Sequence, residues 1–209
     1  FRAAAILIPL LLFLGQFWYI DKRIDLFADS GYEEIYVPKG ERMQLIFQDG
    51  SRATLNAETR IKYPRKFGFS ERKVELEGEA FFEVSPNKDR PFIVDMKDIN
   101  VKVLGTTFDV KAYATDPDIF VTLETGKVVL ANNSSSLAHM KPGEKATYNR
   151  KSGVCKISRP ENIEHLSAWK KNQIVFNNTP LSEVIATLSR WYNVEFTIAD
   201  SSVLYYNYT

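Results

Sequence analysis

The chain has almost no cysteine or histidine and no excess of charge of either sign. Its 209 residues include one Cys, two His, 27 Lys plus Arg and 26 Asp plus Glu. The single Cys155 excludes an intrachain disulfide, and two scattered histidines with one cysteine lack the ligand spacing of a zinc site. The balanced charge argues against a nucleic-acid partner, which needs clustered basic residues. We therefore expect no metal, no cofactor and no nucleic acid.

Motifs for catalysis are also missing. His139 and His165 belong to no nucleophile motif such as Gly-x-Ser-x-Gly, so both are predicted to be surface residues. The glycines stand singly among β-type residues, which fits turns better than a phosphate loop. Acids alternate over residues 75–83 at a spacing that a glycosidase can use, but a solvated strand face shows the same pattern. We predict no catalytic residue and keep a membrane-anchored carbohydrate-active protein that uses these acids as an alternative.

The one long uncharged run lies at the N-terminus. Residues 3–20 carry no charge, end in three aromatic residues and are followed at once by charged residues. A helix of that length measures about 27 Å, close to the hydrocarbon thickness of a bilayer. We predict one transmembrane helix over residues 1–22 and a linker over residues 23–35. A signal peptide is the alternative, although its apolar core is usually shorter and ends in small residues.

Residues 36–158 are predicted to form an all-β domain. Short runs with an apolar residue at every second position, typical of half-buried strands, are separated by turn residues such as Gly78 and Gly105. The runs have no fixed period, so a twisted β-sandwich and a solenoid-like stack are both open. Their apolar positions are Met43, Leu45, Phe47, Val74, Leu76, Ala80, Phe82, Val84, Phe92, Val94, Val101, Val103, Phe108, Val110, Val121, Leu123, Val128 and Leu130.

Residues 159–209 predict a small α/β module. The apolar run 174–176 predicts a strand, and Pro180 suits the first position of a helix. Val194, Phe196 and Ile198 alternate as a second strand. A β-α-β unit of about 35 residues rarely buries enough surface alone, so it should dock on the β-domain or be completed by further sequence. The apolar stripe of the helix consists of Leu181, Val184, Ile185 and Leu188.

An ordered series of motifs over residues 36–208 resembles the FecR-type transmembrane anti-sigma factor family. The series includes Asp49-Gly50-Ser51, residues 78–84, residues 103–110 and Pro142-Gly143-Glu144. The tail, from Trp169 to Arg190-Trp191-Tyr192, is similar to the short secretin/TonB-type module of the Bacteroidetes branch. We expect the motif residues to be mostly structural, and they do not mark the partner-binding surface. They are Asp49, Gly50, Asn56, Gly78, Glu79, Phe82, Pro91, Phe92, Gly105, Thr106, Phe108, Gly126, Pro142, Gly143 and Trp169.

The resemblance implies a signalling relay. In this family a cytoplasmic domain holds an extracytoplasmic-function sigma factor, one helix crosses the inner membrane, and the periplasmic part receives the signalling domain of a TonB-dependent outer-membrane transporter. A site protease then frees the sigma factor. The sequence matches the span and the receiver but lacks the cytoplasmic domain, so sigma binding is expected of a segment before Phe1. An envelope scaffold without signalling is the remaining alternative.

Overall fold

The computed structural model describes residues 9, 11–16, 31–132 and 135–209 of the chain. Residues 11–16 are helical and exposed. Among the described residues, no helix combines the length and the apolar content that a bilayer span requires. Most of the predicted transmembrane helix over residues 1–22, and the predicted linker up to residue 30, lie outside the described residues.

Thirteen strands form one mainly antiparallel sheet that curves into a nearly closed barrel. The predicted mainly β class is confirmed, but the barrel is neither the twisted β-sandwich nor the solenoid-like stack that the sequence left open, because the outermost strands approach each other and nearly close the sheet. The first strand begins inside the range predicted as linker. The strands are β1 (Tyr32–Val37), β2 (Met43–Ile46), β3 (Arg52–Leu55), β4 (Thr59–Pro64), β5 (Arg72–Glu83), β6 (Phe92–Asp95), β7 (Asn100–Val103), β8 (Thr107–Ala112), β9 (Asp118–Thr125), β10 (Val128–Ala131), β11 (Ser136–Met140), β12 (Lys145–Asn149) and β13 (Cys155–Ser158).

The long strand β5 organises the sheet. The strand order is β11-β10-β7-β6-β5-β8-β9-β12-β13, and the terminal strands β11 and β13 approach each other. The first half of β5 pairs with β4 and, in parallel, with β6, while its second half pairs with β3 and β8. Strand β1 lies beside β4, and β2 lies beside β3. Both halves of the sheet therefore share β5.

Gly78 lies within β5, so the predicted turn at this residue is wrong. The strand runs through it without a break for 12 residues. Gly78 has φ +123°, and a Cβ there would lie 2.6 Å from the Cα of Thr59. The glycine allows the backbone of Thr59 to approach the strand where β5 passes from one half of the sheet to the other.

Aromatic residues fill the barrel interior, as predicted. Phe82, Phe92 and Phe108 are fully buried. The rings of Phe82 and Phe108 stack with centroids 5.2 Å apart, and the ring of Phe92 lies 6.0 Å from that of Phe82. Burial of one such ring contributes about 1.5 to 3 kcal/mol, so these motif residues stabilise the barrel.

A turn at Asp49-Gly50 joins β2 to β3, and it holds a buried ion pair. Gly50 has φ +81°. The carboxylate of Asp49 accepts hydrogen bonds from Ser51 Oγ at 2.7 Å and from the guanidinium of Arg72 at 2.6 Å. Arg72 is only 1% exposed and also donates to two backbone carbonyls. Asp49 therefore joins the β2–β3 hairpin to the start of β5.

The other motif residues lie at strand ends and turns. Asn56 closes the end of β3, because its side-chain oxygen accepts from the N–H of Ala57 at 2.9 Å. Gly105 lies in the turn between β7 and β8, also as predicted. Of the rest, Pro91 precedes β6, Thr106 precedes β8, Gly126 joins β9 to β10, and Pro142 and Gly143 join β11 to β12.

The C-terminal module is less regular than predicted. The helix is confirmed as α1 (Leu181–Tyr192), with Pro180 at the N-cap and not at the first helical position. The strands predicted over residues 174–176 and 194–198 are wrong, since both segments are irregular. Neither has a neighbouring strand among the described residues, and an isolated strand is not stable. The observed elements are a 3-10 helix (Ile163–Lys171), β14 (Thr179–Pro180) paired with β15 (Asn207–Tyr208), and a second 3-10 helix (Ser201–Tyr205).

Candidate functional site

The outer face of β5, β8, β9 and β12 carries charged and aromatic side chains in two rows. The opposite face of these strands belongs to the barrel interior, so the alternation of each strand turns these residues outward. Register places one residue of each strand in each row. The rows are Phe81, Asp109, Thr122 and Lys145, and Glu79, Lys111, Phe120 and Thr147.

The first 3-10 helix covers part of this face. Trp169 is 6% exposed, and its indole N–H donates to Asp109 Oδ2 at 3.0 Å. The next residue, Lys170, forms an ion pair with Glu124 at 2.9 Å, and its ammonium lies 3.4 Å from the ring centroid of Phe81. These contacts fix the helix to the barrel, so Phe81 and Asp109 are buried although they lie on the outer face.

Helix α1 is attached to the barrel mainly through long charged side chains. Lys111 forms an ion pair with Glu183 at 2.5 Å. The guanidinium of Arg190 lies 2.8 Å from Asp116 Oδ1 and 3.7 Å from the ring centroid of Tyr113. Only two residues of α1 are buried, Val184 and Arg190. The other residues of its apolar stripe, Leu181, Ile185 and Leu188, are half-buried.

A cavity of about 460 Å³ lies between the outer face and the module. We refer to it as the seam cavity. Its lining combines acids, lysines and aromatic rings from the barrel with side chains from the 3-10 helix and α1. The lining includes Asn56, Glu79, Asp109, Lys145, Trp169 and Glu183.

Burial changes the proton affinity of the acids in the seam cavity. It raises the pKa of the Glu79 carboxyl, although Lys111 and the hydrogen bond from Asn56 oppose this shift. It raises the pKa of Asp109 well above the usual range, and the negative charge of Glu79 adds to the effect. Asp109 is 4% exposed. The two acids therefore bind a proton more readily than surface carboxyls do.

The lysines of the cavity differ from each other. Burial lowers the pKa of Lys111, but the charges of Glu79 and Glu183 outweigh it, so the pKa of Lys111 is raised. Burial also lowers the pKa of Lys145, and the charges of Glu183, Asp109 and Asp118 oppose this shift without reversing it, while the ammonium of Lys111 adds to it. No carboxylate among the described residues forms an ion pair with Lys145.

Three residues of the motif series come together at the seam cavity. Asn56 Nδ2 donates to Glu79 Oε2 at 2.6 Å, and Trp169 reaches the cavity through its bond to Asp109. The other motif residues lie in the barrel interior or in turns.

Sequence reasoning missed several functional candidates because nothing in the alternation of β8 or β12 shows that their outer face is covered. These are Asp109, Lys111, Lys145, Glu183 and Arg190.

The acids of β5 do not act as one group. Glu75 and Glu77 are largely exposed and form ion pairs with lysines of neighbouring elements, so the prediction of a solvated face is confirmed for them. The same prediction is wrong for Glu79, which lies against the module. His139 and His165 are exposed, as predicted. Within the described ranges, no group of three or more His, Cys, Asp or Glu residues is placed to hold a metal ion.

The module also presents apolar surface. Val194, Phe196 and Ile198 are 40%, 45% and 39% exposed. They alternate along the irregular stretch that follows α1, which we call the 194–198 segment. Tyr192 beside it is 62% exposed. Large apolar side chains that cluster in this way often mark an interaction surface.

Comparisons with known proteins match both parts of the chain. The family model described as FecR protein matches residues 33–129, and the model described as FecR, C-terminal matches residues 173–209. A candidate anti-sigma factor from Parabacteroides distasonis ATCC 8503, in a crystal structure at 2.50 Å resolution, is 38% identical, with a TM-score of 0.79 over 86% of this chain and 84% of that chain. The chain belongs to the FecR-type anti-sigma factor family. The resemblance seen in the sequence is thereby confirmed.

A second crystal structure described in the same words, at 1.65 Å resolution, gives a TM-score of 0.78 at 38% identity over 85% of this chain and 82% of that chain. No curated protein matches the chain. Within this FecR-type chain, the 3-10 helix over residues 163–171 lies between the two matched regions. The seam cavity is therefore formed where the FecR region meets the FecR C-terminal region.

Proposed function

We propose that this FecR-type chain is the periplasmic receiver of a transmembrane anti-sigma factor. The signalling domain of a TonB-dependent outer-membrane transporter binds it, and the signal passes to an extracytoplasmic-function sigma factor held by a cytoplasmic segment. Transcription of uptake genes then changes. Membership of the anti-sigma family supports the regulatory role. The transporter, the direction of the relay and the transcriptional output are the proposed part.

The observation that carries this proposal is the exposed 194–198 segment. Its apolar side chains alternate as in a strand, but its backbone belongs to no sheet among the described residues. A segment of this kind can pair with the edge of a partner's sheet, where main-chain hydrogen bonds give affinity and alternate side chains give specificity. The FecR C-terminal match includes this segment. We place the transporter contact here.

A binding measurement tests the contact. The full chain is titrated with the purified signalling domain of a candidate transporter, and the dissociation constant is measured by calorimetry. We expect Phe196→Glu to weaken binding at least about tenfold, because it places a charge in the apolar contact. The matched control is Ile46→Glu on β2, since Ile46 is 62% exposed on the barrel.

The outcomes separate clearly. Loss with Phe196→Glu and unchanged binding with Ile46→Glu supports the contact. Equal binding by both variants and the unchanged chain overturns the placement at the 194–198 segment. Failure of every candidate signalling domain to bind the folded chain overturns the receiver role itself. A reporter driven by the sigma factor should lose induction with Phe196→Glu at unchanged protein level.

We also propose the inner membrane, with a single span over residues 1–22 and the remainder in the periplasm, and release of the sigma factor by a site protease. Addition of an external protease to spheroplasts tests the orientation. The barrel should be degraded in spheroplasts and protected in whole cells. Protection in both would overturn the periplasmic placement.

The carbohydrate-active alternative has little support in the arrangement of the acids. Of the four glutamates on β5 between residues 75 and 83, only Glu79 lines the seam cavity. Glu75 and Glu77 form ion pairs outside it. No observation favours a scaffold without signalling over the receiver.

A further inference from the structure

We propose that the seam cavity is a binding site for a small carboxylate ligand. The ligand carries a carboxylate at one end and a hydrogen-bond donor, a hydroxyl or an ammonium, at the other. This proposal does not depend on the transporter contact, because it concerns a different surface from the 194–198 segment.

The size and place of the cavity suit a small molecule. Its volume of about 460 Å³ lies in the range of sites for small ligands, and such sites occur preferentially where two structural units meet. Polar groups line it on the barrel side, while the rings of Phe120 and Trp169 supply flat apolar surface. A polar ligand with some apolar surface fits this lining.

The ammonium of Lys145 defines the end that receives the carboxylate. It lies 4.1 Å from the ring centroid of Phe120 and has no ion pair or side-chain hydrogen bond among the described residues. Lys111, by contrast, is already paired with Glu183. The carboxylates of Glu183 and Asp109 act on this ammonium only from beyond ion-pair distance. A partly buried ammonium that lacks a contacting counter-ion is unfavourable, and a ligand carboxylate would provide that contact.

The acids at the opposite end can accept hydrogen bonds. Glu79 accepts one from Asn56 through Oε2, and Asp109 accepts one from Trp169 through Oδ2. In the described part of the chain, no side chain donates to the second oxygen of either carboxyl. A ligand hydroxyl or ammonium can donate to these two oxygens.

Strand register gives the separation of the two ends. Asp109, Thr122 and Lys145 are direct neighbours on β8, β9 and β12. Two strand spacings amount to roughly 10 Å between the outer backbones. A sugar acid or a dipeptide has a length of this order.

The link between the 3-10 helix and β14 offers a route for entry. Asn172 and Asn178 have left-handed φ values of +61° and +50°, and the residues between them have no regular structure. The helix that follows is held by ion pairs. Entry past this link requires these ion pairs, and the hydrogen bond from the Gly40 N–H to the Arg190 carbonyl, to open.

The test is calorimetric titration of the full 209-residue chain. The probes are sodium D-glucuronate, which offers hydroxyl donors, and glycylglycine, which offers an ammonium. We expect at least one to bind with a dissociation constant of about 1 mM or tighter, and D-glucose, which lacks the carboxylate, to bind at least about tenfold more weakly. The probe that binds identifies the donor.

Variants locate the binding. Lys145→Met keeps the aliphatic stem against Phe120 and should weaken binding about tenfold or more, because the charged partner of the carboxylate is lost. Lys145→Arg keeps the charge and should retain binding. The matched control is Lys156→Met on β13, which removes an exposed lysine of the same sheet. Circular dichroism verifies that each variant is folded.

Two results would overturn the proposal. One is no heat of binding for either carboxylate probe up to about 50 mM with the folded chain. The other is a dissociation constant that is the same for the Lys145→Met and Lys156→Met variants. If Lys145→Met fails to fold, two comparisons remain. Retained binding by Lys145→Arg and weaker binding of D-glucose support a contact with the charge of Lys145. Equal binding of D-glucose and D-glucuronate contradicts that contact.

Discussion

At the scale of single residues, one buried acid, Asp109, makes the stability of the protein depend on pH. The pKa of Asp109 is raised in the folded protein, so the folded state binds this proton more tightly than the unfolded state does. The contribution of Asp109 to stability is therefore fully present below the unfolded carboxyl pKa of about 3.9 and is lost as pH rises through the raised folded value.

Asp109→Asn tests this sign. Asparagine keeps an oxygen acceptor for the indole N–H of Trp169 but removes the ionisable group. We expect the variant to melt at the same or a higher temperature than the unchanged chain at pH 8, and to show a weaker decrease in melting temperature between pH 5 and pH 8. Asp89→Asn, at an exposed loop residue, should leave the pH profile unchanged. A variant that loses stability mainly at pH 8 would show that the charge of Asp109 stabilises the fold.

Gly105 is a second residue at which a substitution should measurably lower the free energy of unfolding. Its φ is +152°, and a Cβ would lie 2.7 Å from the Cα of Pro86. Gly105→Val should therefore lower the free energy of unfolding by more than about 2 kcal/mol in urea titration, through backbone strain and the contact with Pro86. Gly143→Val is the control: Gly143 also has positive φ, +86°, but a Cβ there meets no atom within 4 Å. Equal losses in both variants would exclude the contact with Pro86 as the cause.

The buried pair of Asp49 and Arg72 shows that a sequence does not reveal which distant residue forms an ion pair with a given acid. The turn at Asp49-Gly50 is local and follows from the two residues themselves. The partner Arg72 is 23 residues away. Its burial depends on how the barrel closes, so the sequence alone gives no signal that this arginine belongs to the interior.

At the scale of elements, alternation predicted β2 and β5 to β10 of the barrel and failed in the module. Strands such as β6 and β12 bury alternate residues between two neighbours, and this produces a clear period of two. The 194–198 segment has the same pattern but no neighbour among the described residues, so it forms no strand. An alternating pattern therefore indicates the capacity to pair, and the available partners decide whether a strand forms.

The attachment of α1 gives a prediction for this element. Arg190 contacts Asp116 and Glu58 and lies over the ring of Tyr113. Arg190→Met removes these ion pairs and leaves their acids without a partner, so hydrogen exchange of the α1 amides should become at least about tenfold faster. The barrel strands should exchange at unchanged rates.

The control for this variant is Arg159→Met. Arg159 is largely exposed and forms its ion pair with Glu144, away from α1. Exposed pairs contribute little to stability, so exchange in α1 should not change. Equal exchange in the Arg190 and Arg159 variants would contradict the attachment of α1 through Arg190.

At the scale of the whole molecule, the candidate site depends on two parts of the chain that the sequence presents separately. The motif series identified the family and placed Asn56, Glu79 and Trp169 among its residues. It could not show that they meet, because the barrel face and the 3-10 helix approach only after the sheet has closed. The alternating acids of β5 therefore resembled a solvated face, although Glu79 lines the seam cavity.

Truncation separates the C-terminal residues that stabilise the barrel from those that belong only to the module. A chain that ends after Pro160 lacks the 3-10 helix, so Phe81 becomes exposed and Asp109 loses the hydrogen bond from Trp169. A chain that ends after Gln173 keeps both contacts. We expect the shorter chain to lose at least about 2 kcal/mol of unfolding free energy in urea relative to the longer one, because a large aromatic contact is removed. Trp169→Ala in the full chain should reproduce most of the loss. If both truncated chains unfold at the same urea concentration, the 3-10 helix does not stabilise the barrel and belongs with the rest of the module.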